Sequence, residues 1–452
     1  MHILYVHQNF PAQFGHIARY LVQSRGWQCT FLSETPPGQV EGVEKIQYQV
    51  SGGAIQQTHF CSRTFENAVW RADAVFTALR RRKERDPQWR PDLIVGHSGF
   101  GSTLFLSELF PNTPIVNLFE YYYSPHGPDS DMDFRRDLGW PTPVEKYNRT
   151  RCRNAMILLD MHNCDAAYTP TEFQKSRFPA EYQSKLQTIF DGVDRSVYHD
   201  YQDLLRQPDA PRTVAGITIP PNTRLVTYVS RGLESMRGFD IFMRTAQRIE
   251  QEYPDVLFMV VGADRVAYGG DLSHIHPATS FKQWVLARHG TDLTKFRFTG
   301  LLPPAELGQV LAASDLHIYL TVPFVLSWSM MNAMSCGAVV LGSDTAPVRE
   351  MIRDGHNGLL ADFFDVDALA EKSVRVLSDP AAYRPLGHAA EKLISDQYNL
   401  DVVLPKMLNL YDRAIAARRD KPPLPEPDLN IPIIQADAPP ATNPGFRSPF
   451  RA

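Results

Sequence analysis

Two arginines on one glycine-flanked loop are the strongest candidates for binding chemistry in this sequence. The segment Ser230–Gly238 reads Ser-Arg-Gly-Leu-Glu-Ser-Met-Arg-Gly and follows the apolar run Arg224–Val229. Arg231 and Arg237 therefore lie just beyond a predicted strand, where the carboxyl ends of parallel strands meet ligands. Guanidinium groups are permanently charged, and their fork-shaped donors match the oxygens of a diphosphate. The loop predicts a diphosphate site, and the alternative is that these arginines pair with surface carboxylates.

The start of a predicted helix near residue 327 is a second candidate anion site. Ser327 is a favoured N-cap residue, and Gly337 is typical of a helix end. Backbone N–H groups at such a start attract phosphate, and Asn332 lies far enough along the helix to reach a ribose. The methionines of this segment favour a core-facing helix instead. The donor-binding candidates are Val325, Leu326, Ser327, Trp328 and Asn332, with Gly262 at the end of another predicted strand.

The elements that must position these residues follow one pattern. Short apolar runs alternate with amphipathic stretches, which is typical of parallel sheets with helices on both faces. The predicted strands are His2–Val6, Asp92–Gly96, Pro114–Phe119, Arg224–Val229, Val256–Val261, Lys295–Thr299, Leu316–Leu320 and Ala338–Gly342. The prediction is an α/β fold with two facing, Rossmann-like, doubly wound domains that bind a ligand at the carboxyl ends of their strands.

Composition and charge narrow the class of protein. The net charge is −4 with 46 basic and 50 acidic residues, so no basic excess indicates a nucleic-acid partner. Five cysteines at unrelated spacings indicate buried thiols in a reducing compartment. No apolar run approaches the roughly 20 residues of a membrane span, and the first residues do not resemble a signal peptide. We expect a cytoplasmic protein without a transmembrane segment, which leaves peripheral contact with a membrane-linked substrate open.

Three familiar motifs are tested and set aside. The segment Gly232–Gly238 lacks the lysine and hydroxyl residue of a phosphate-binding P-loop, and Gly99–Gly101 lacks the third glycine of a dinucleotide fingerprint. The alternating carboxylates of Asp129–Asp133 are followed by Phe134 and Trp140, where a calcium loop needs glycine and glutamate. A metal-bridged Asp-x-Asp site there remains the alternative to a solvated acidic loop. The prediction is that no metal is bound.

Three segments of the chain together resemble the retaining GT-B glycosyltransferases of family 4. They are Ser230–Gly238, the stretch Asn332–Ser343 (Asn-Ala-Met-Ser-Cys-Gly-Ala-Val-Val-Leu-Gly-Ser) and Ile189–Asp194 (Ile-Phe-Asp-Gly-Val-Asp). The resemblance spans roughly residues 1–419 and is more specific in the second half. It implies the GT-B fold, with a last helix that crosses back onto the first domain. It also implies transfer of a sugar from a nucleotide sugar without a metal.

The resemblance assigns roles to particular residues. It implies that Arg231 and Arg237 bind the donor diphosphate and that Gly15 belongs to a loop under the donor. Asn332 stands where the family has the second of two glutamates eight residues apart, the one that holds the ribose hydroxyls. Phe324 stands where the first would contact the donor sugar. Both carboxylates are therefore absent, and we expect backbone amides and serine hydroxyls nearby to contact the sugar.

Two candidate catalytic residues follow from the resemblance in the first half of the chain. His97, after the strand Asp92–Gly96, matches a family histidine near the cleft, and Glu120 occupies the place of a second one. A carboxylate there can hydrogen-bond sugar hydroxyls or stabilise the positive charge that develops as the glycosidic bond breaks. The alternatives are a structural histidine and, for Tyr121–Tyr123, packing instead of stacking on a sugar.

The sequence and the resemblance together imply where the domains begin and end and what the protein does. Residues 1–200 form an acceptor-side domain, 201–400 a nucleotide-sugar-binding domain, 401–419 the crossover helix, and 420–452 a disordered tail with nine of the 35 prolines. We expect a metal-independent, retaining hexosyltransferase of polysaccharide biosynthesis. Its donor is a nucleotide-diphosphate sugar, its acceptor a glycan or glycoconjugate, and it needs no cofactor. The alternatives are a nucleotide-sugar epimerase of the same fold and, because of Phe324 and Asn332, a catalytically silent sugar-nucleotide-binding subunit.

Overall fold

The computed structural model describes residues 1–35, 38–127, 131–200, 205, 210–290 and 292–429, without the side chains of Asp131 and Met132. The chain forms two compact units. The first comprises residues 1–125 and 142–191 and the chain from Leu404 onward, and the second comprises residues 126–141 and 192–403. The sequence boundaries placed residues 126–141 in the first domain, whereas in the structure they pack with the second.

The first unit is built on a seven-stranded sheet in which every neighbouring pair is parallel. Its strands are β1 (His2–Val6), β2 (Gln28–Ser33), β3 (Val43–Gln47), β4 (Leu93–His97), β5 (Ile115–Leu118), β6 (Ala166–Thr169) and β7 (Leu186–Thr188). Their order is β3-β2-β1-β4-β5-β6-β7, which is a doubly wound arrangement. Every residue of β4 and β5 is buried, as expected for strands with helices on both faces.

The second unit repeats this architecture with six parallel strands. A small antiparallel hairpin precedes the sheet, with β8 (Arg212–Val214) and β9 (Ile217–Ile219). The sheet consists of β10 (Arg224–Gly232), β11 (Val256–Ala263), β12 (Phe296–Gly300), β13 (Leu316–Tyr319), β14 (Val340–Ser343) and β15 (Leu359–Ala361). Its order is β12-β11-β10-β13-β14-β15. The predicted α/β class with two Rossmann-like, doubly wound domains is confirmed.

Helices connect the strands in both units. They are α1 (Gly15–Arg25), α2 (Arg63–Arg85), α3 (Leu106–Leu109), α4 (Asp131–Phe134), α5 (Val144–Asn163), α6 (Glu172–Ser176), α7 (Ala180–Gln183), α8 (Phe239–Glu252), α9 (Phe281–His289), α10 (Pro304–Ala313), α11 (Trp328–Ser335), α12 (Ala346–Arg349), α13 (Val366–Ser378), α14 (Pro380–Leu393) and α15 (Leu400–Arg419). Short 3-10 turns occur at Ala12–Phe14, Arg136–Leu138, Ser235–Arg237 and Asp271–Ser273, and a π turn at Ile394–Tyr398.

The C-terminal segment belongs mostly to the first unit. In α15, Arg418 donates a hydrogen bond to Asn112. After the helix, Lys421 pairs with Asp165 at 2.8 Å, and the backbone N–H of Leu424 also donates to Asn112. Residues 421–429 therefore contact the first unit, in contrast to the disorder predicted for them. Residues 430–452 of the predicted tail, part of the proline-rich boundary before residue 221 and part of the Asp129–Asp133 loop lie outside the described residues.

The segment 126–141 is held in the second unit by a buried ion pair and by aromatic contacts. Arg135 donates to both carboxylate oxygens of Asp240, at 3.0 and 2.7 Å, and also pairs with Asp137 at 2.9 Å. Trp140 stacks on His274 with ring centroids 4.9 Å apart. Because a buried bidentate pair satisfies both partners, this segment is fixed to the start of α8.

Candidate functional site

In the second unit, two arginines lie at the carboxyl ends of the central strands β10 and β11. Arg231 is exposed near the end of β10, and Arg265 is partly buried just after β11. The strands bring them together, because the carbonyl oxygen of Arg265 lies only 2.5 Å from where a Cβ on Gly232 would stand. A side chain at position 232 would push this loop away. Glycine there thus permits the close approach of the two backbones.

These two guanidinium groups have no carboxylate partner within the described ranges. No ion pair involves either group, and the buried Nε of Arg265 has no hydrogen-bond acceptor. Burial, and then the positive charge of Arg231, lower the pKa of Arg265. Two adjacent cations that form no ion pair among the described residues make a site for an anion such as a phosphate. Arg265 is a candidate that the sequence analysis missed, although its position just past the predicted strand Val256–Val261 could have indicated it.

Arg237, the second predicted arginine, lies in a different setting. Its side chain is buried, donates to Thr321 Oγ1 at 2.7 Å, and lies near the Tyr319 hydroxyl at 3.4 Å. The guanidinium also faces the ring of Tyr268 at 5.2 Å and that of Phe324 at 6.0 Å. The loop therefore brings Arg231 and Arg237 to the same edge of the sheet, one exposed and one enclosed by hydroxyls and aromatic rings.

A buried glutamate fixes the loop that carries Arg265. Glu234 is fully buried, and its Oε2 accepts hydrogen bonds from the backbone N–H groups of Ala267, Tyr268 and Gly269, at 2.8, 2.8 and 3.2 Å. Its Oε1 is buried without a partner, and burial raises the pKa of Glu234 to about 7. Sequence reasoning missed this role, since the partners of Glu234 are main-chain groups of another loop and leave no side-chain signal.

The predicted helix start at residue 327 is present. Ser327 caps α11, accepting a hydrogen bond from Ser329 N–H at 3.3 Å, and its own N–H donates to the Tyr319 hydroxyl at 2.9 Å. Val325 and Leu326 are buried, whereas the Trp328 side chain is exposed. Tyr319 thereby connects the start of α11 with Arg237.

The two residues at the places of the absent glutamates differ in character. Phe324 is buried and packs edge-on against Tyr268, with ring centroids 5.4 Å apart. Asn332 is 7% exposed, and its side-chain amide makes no hydrogen bond within the part of the chain that the structure describes. The Asn332 amide is absent from the buried polar atoms that lack a partner, so it stays accessible and can donate to or accept from a polar ligand group. Phe324 contributes to the aromatic wall beside Arg237 instead.

Gly262 supports the site through packing. A Cβ at this position would lie 2.5 Å from the carbonyl oxygen of Ser230. The pairing of β10 and β11 shifts register between Val229 and Gly232, next to this glycine. Gly262 therefore permits the irregularity that places Arg231 at the edge of the sheet.

In the first unit, the predicted catalytic pair meets at the ends of β4 and β5. His97 is aligned with Leu118 in the parallel pairing, so Glu120 follows two residues beyond. The His97 Nε2 lies 3.5 Å from Glu120 Oε2, and the His97 Nδ1 contacts the Ser98 carbonyl oxygen at 2.9 Å. Because 3.5 Å is at the limit of a hydrogen bond, we treat the contact with Glu120 as an ion pair. Burial alone would lower the pKa of His97, but Glu120 and the carbonyl of Ser98 outweigh burial and raise it.

Another histidine and a buried aspartate surround His97. The ring of His7, after β1, meets that of His97 edge-on at 5.1 Å. Asp160, on α5, accepts hydrogen bonds from Ser98 Oγ at 3.0 Å and from Gly99 N–H at 2.8 Å, which holds the loop after β4. Burial raises the pKa of Asp160 to about 6. Asp160 was not predicted, because its partners are seen only when α5 is placed against this loop.

Gly15 and the three tyrosines serve mainly as packing elements in the structure. A Cβ on Gly15 would lie 2.5 Å from the Cβ of Pro11, so only glycine lets α1 begin this close to the loop after β1. Tyr121 is buried against Tyr123, whose main chain exchanges two hydrogen bonds with the Asn154 side chain. These contacts of Tyr121 and Tyr123 are of the kind that the packing alternative predicts, and stacking on a sugar stays a prediction.

The described residues contain neither a metal-binding cluster nor a membrane-spanning helix. Among them, no group of three or more His, Cys, Asp or Glu side chains is arranged to hold a metal ion. No described helix has both the length and the apolar character needed to cross a bilayer.

Two sequence families match consecutive parts of the chain. Residues 25–197 match the Glycosyl transferase family 4 group, and residues 223–379 match Glycosyl transferases group 1. Alpha-maltose-1-phosphate synthase of Mycolicibacterium smegmatis is 24% identical over 246 residues, which cover 53% of this chain and 59% of that protein. The match thus spans less than two thirds of that relative.

Solved structures share the fold over most of the chain. Sucrose-phosphate synthase from Thermosynechococcus elongatus superposes with a TM-score of 0.67 at 15% identity, covering 92% of this chain and 99% of that one. HepE of Anabaena, solved in complex with UDP and glucose, gives a TM-score of 0.62 at 16% identity, covering 91% and 100%. The predicted GT-B fold is confirmed by these likenesses.

Proposed function

Since the chain belongs to the GT-B glycosyltransferases of the family-4 type, we propose that it transfers a sugar from a nucleotide-diphosphate sugar to an acceptor hydroxyl, with retention and without a metal ion. The observation that carries the proposal is the pair Arg231 and Arg265 at the ends of β10 and β11, which forms no ion pair with any described residue. HepE, which has the same fold, was solved with UDP, and uracil is therefore the first donor base to test.

The arginines supply the electrostatic part of the proposed reaction. As the bond between sugar and diphosphate breaks, negative charge grows on the departing oxygen. Fixed cations at this place stabilise the transition state more than the ground state. The N-terminus of α11 adds backbone N–H groups of the same polarity, and the Asn332 amide is suited to the ribose hydroxyls. The developing charge is met by cations of the chain, so this scheme needs no metal.

His97 and Glu120 are the proposed residues of the acceptor side. The pKa of His97 is raised because Glu120 lies beside its ring, and this favours a protonated ring. Glu120 is partly exposed, so its carboxylate can accept a hydrogen bond from a sugar hydroxyl or stabilise positive charge on the sugar ring. A glycan or glycoconjugate is the acceptor class that we propose.

The test is a transfer assay with UDP-, GDP- and ADP-sugars against a panel of carbohydrate acceptors. Product configuration is read by NMR, and the assay is run with a chelator to test metal independence. Arg231→Ala should abolish transfer, and Arg244→Ala, an exposed arginine on α8, should not. Unchanged turnover in the Arg231 variant would refute the proposed transferase function.

A second candidate function is a binding subunit that holds a sugar nucleotide without transferring the sugar. The observation that favours it is Phe324, which is buried against Tyr268 where the family resemblance implies a sugar-binding glutamate. Binding of a sugar nucleotide with neither transfer nor hydrolysis, under every acceptor tested, would select this function.

A further inference from the structure

The first unit contains a group of three arginines that the proposed mechanism does not use. Arg63 is the first residue of α2, and Arg149 and Arg153 lie one turn apart on α5. Because residues four apart face the same side of a helix, Arg149 and Arg153 are neighbours on α5, and Arg149 contacts Thr64 of α2 at 3.5 Å. We call these three residues the arginine cluster.

The arginine cluster has no counter-charge in the described ranges of the chain. None of its members forms an ion pair there. Arg63 donates to the carbonyl oxygens of Thr58 and Gln56, each at 3.0 Å. Arg149 has only a long contact of 3.5 Å to Thr64 Oγ1, and its Nε is buried without a partner.

Aromatic rings hold two of these guanidinium groups in place. Arg153 lies 3.6 Å from the ring centroid of Tyr123, and Arg149 lies 4.9 Å from that of Phe60. A guanidinium that stacks on a ring keeps its N–H edges free for an oxyanion. The three positive charges repel one another. Burial lowers the pKa of Arg149 most, and the charges of Arg153 and Arg63 lower it further.

The position of the cluster connects it with the acceptor side. Tyr123 comes three residues after Glu120, and its main chain is fixed by the side chain of Asn154, the neighbour of Arg153. The cluster therefore lies beside the segment that follows β5. Arg149 feels the charges of both Arg63 and Arg153, and no carboxylate of the described residues forms an ion pair with the three. Such a group of cations favours a doubly charged phosphate over a singly charged carboxylate.

We propose that the arginine cluster is an acceptor subsite that binds a phosphate group carried by the acceptor sugar. The assignment to the acceptor rests on the proposed transferase function, whereas the binding of phosphate does not. Arg149 and Arg153 donate hydrogen bonds to the phosphate oxygens, and Arg63 adds the third positive charge.

The test is a calorimetric titration with glucose 6-phosphate, glucuronate and glucose, in the presence of saturating UDP to occupy the donor site. We expect glucose 6-phosphate to bind most tightly and neutral glucose not to bind detectably. The double variant Arg149→Gln/Arg153→Gln should weaken glucose 6-phosphate binding at least tenfold. The matched control Arg151→Gln, an exposed arginine on the same helix, should leave it unchanged.

Thermal unfolding adds a readout that does not depend on activity. Inorganic phosphate should raise the melting temperature of the wild-type chain more than that of the double variant. The double variant loses the two contacts with aromatic rings and is relieved of repulsion, so the readout is the rise in melting temperature that phosphate causes in each chain. A purely structural cluster would give the same rise, or none, in both chains.

Three results would overturn the subsite: equal affinity for glucose and glucose 6-phosphate, no binding of glucose 6-phosphate, or unchanged binding in the double variant. Preference for glucuronate over glucose 6-phosphate would overturn the phosphate assignment. The donor site is judged separately. Failure of UDP to bind would contradict the proposed function, and the same titrations repeated without UDP would still decide the subsite.

Discussion

Replacing Glu234 with glutamine should remove a pH-dependent loss of folding stability from the second unit. The carboxyl group is fully buried, and its pKa rises from an ordinary value of 4.5 to about 7. The folded state therefore holds its proton more tightly than the unfolded state does. Stability from this group is greatest at low pH and falls as pH rises from 4.5 to 7. The full difference is about 3 kcal/mol, of which about 2 kcal/mol falls between pH 5.5 and pH 8.

Glutamine preserves the geometry while it removes the charge. Its carbonyl oxygen can accept the same three backbone N–H groups that Glu234 Oε2 accepts, and its amide replaces the unpartnered Oε1. Glu234→Gln should thus gain about 2 kcal/mol on the wild-type chain between pH 5.5 and pH 8. The control Glu234→Ala leaves the three N–H groups without an acceptor and should be at least about 2 kcal/mol less stable than Glu234→Gln at both pH values.

The assay is urea denaturation at the two pH values, with hydrogen exchange in β11 to assign the transition to the second unit. Parallel pH dependence in the wild-type and glutamine chains would refute the assigned environment of Glu234. A glutamine variant as unstable as the alanine variant would show that the charge itself, and not the acceptor geometry, holds the loop.

Three further predictions address the other buried groups. Arg135→Met leaves the buried Asp240 carboxylate without its arginine and should lower the free energy of unfolding of the second unit by about 3–5 kcal/mol in urea denaturation. Recovery of stability in the double variant Arg135→Met/Asp240→Leu would identify the lost ion pair as the cause. Glu120→Gln should lower the pKa of His97 in an NMR titration, and an unchanged titration would contradict the pairing. Because the folded-state pKa of His97 is raised, the stability from this pair is present at low pH and disappears as pH rises through that pKa. Arg265→Gln should weaken UDP binding about tenfold without lowering the melting temperature, since its guanidinium has no carboxylate partner to lose; unchanged affinity would exclude it from the site.

The alternation of apolar runs predicted the two sheets because buried parallel strands must be continuously apolar. The runs Asp92–Gly96 and Pro114–Phe119 correspond to β4 and β5 within about one residue at each end. The strand end also located Arg231, because ligands meet parallel sheets at that edge. The sheets and Arg231 therefore follow from local pattern, whereas His97 and Glu120 came from the family resemblance.

Other parts depend on contacts that no local pattern encodes. Glu234 looks like one more polar residue of a loop until the amides of Ala267–Gly269 are placed against it. The arginine cluster needs α2 and α5 side by side, and Arg63 and Arg149 are distant in sequence. Residues 126–141 pack with the second unit, although their neighbours in sequence belong to the first, because Arg135 pairs with Asp240. Each of these features is a tertiary pairing of polar groups.

The most direct test of the central claim is a calorimetric titration of UDP, GDP and ADP into the wild-type chain and into Arg231→Ala. The account predicts that one of these nucleotides binds the wild-type chain and that the variant binds it about 10- to 100-fold more weakly, as expected for lost charge-assisted hydrogen bonds. The variant should keep its melting temperature, because no described carboxylate pairs with Arg231. Absence of binding by all three nucleotides, or equal affinity in the two chains, would contradict a nucleotide-diphosphate site at the ends of β10 and β11.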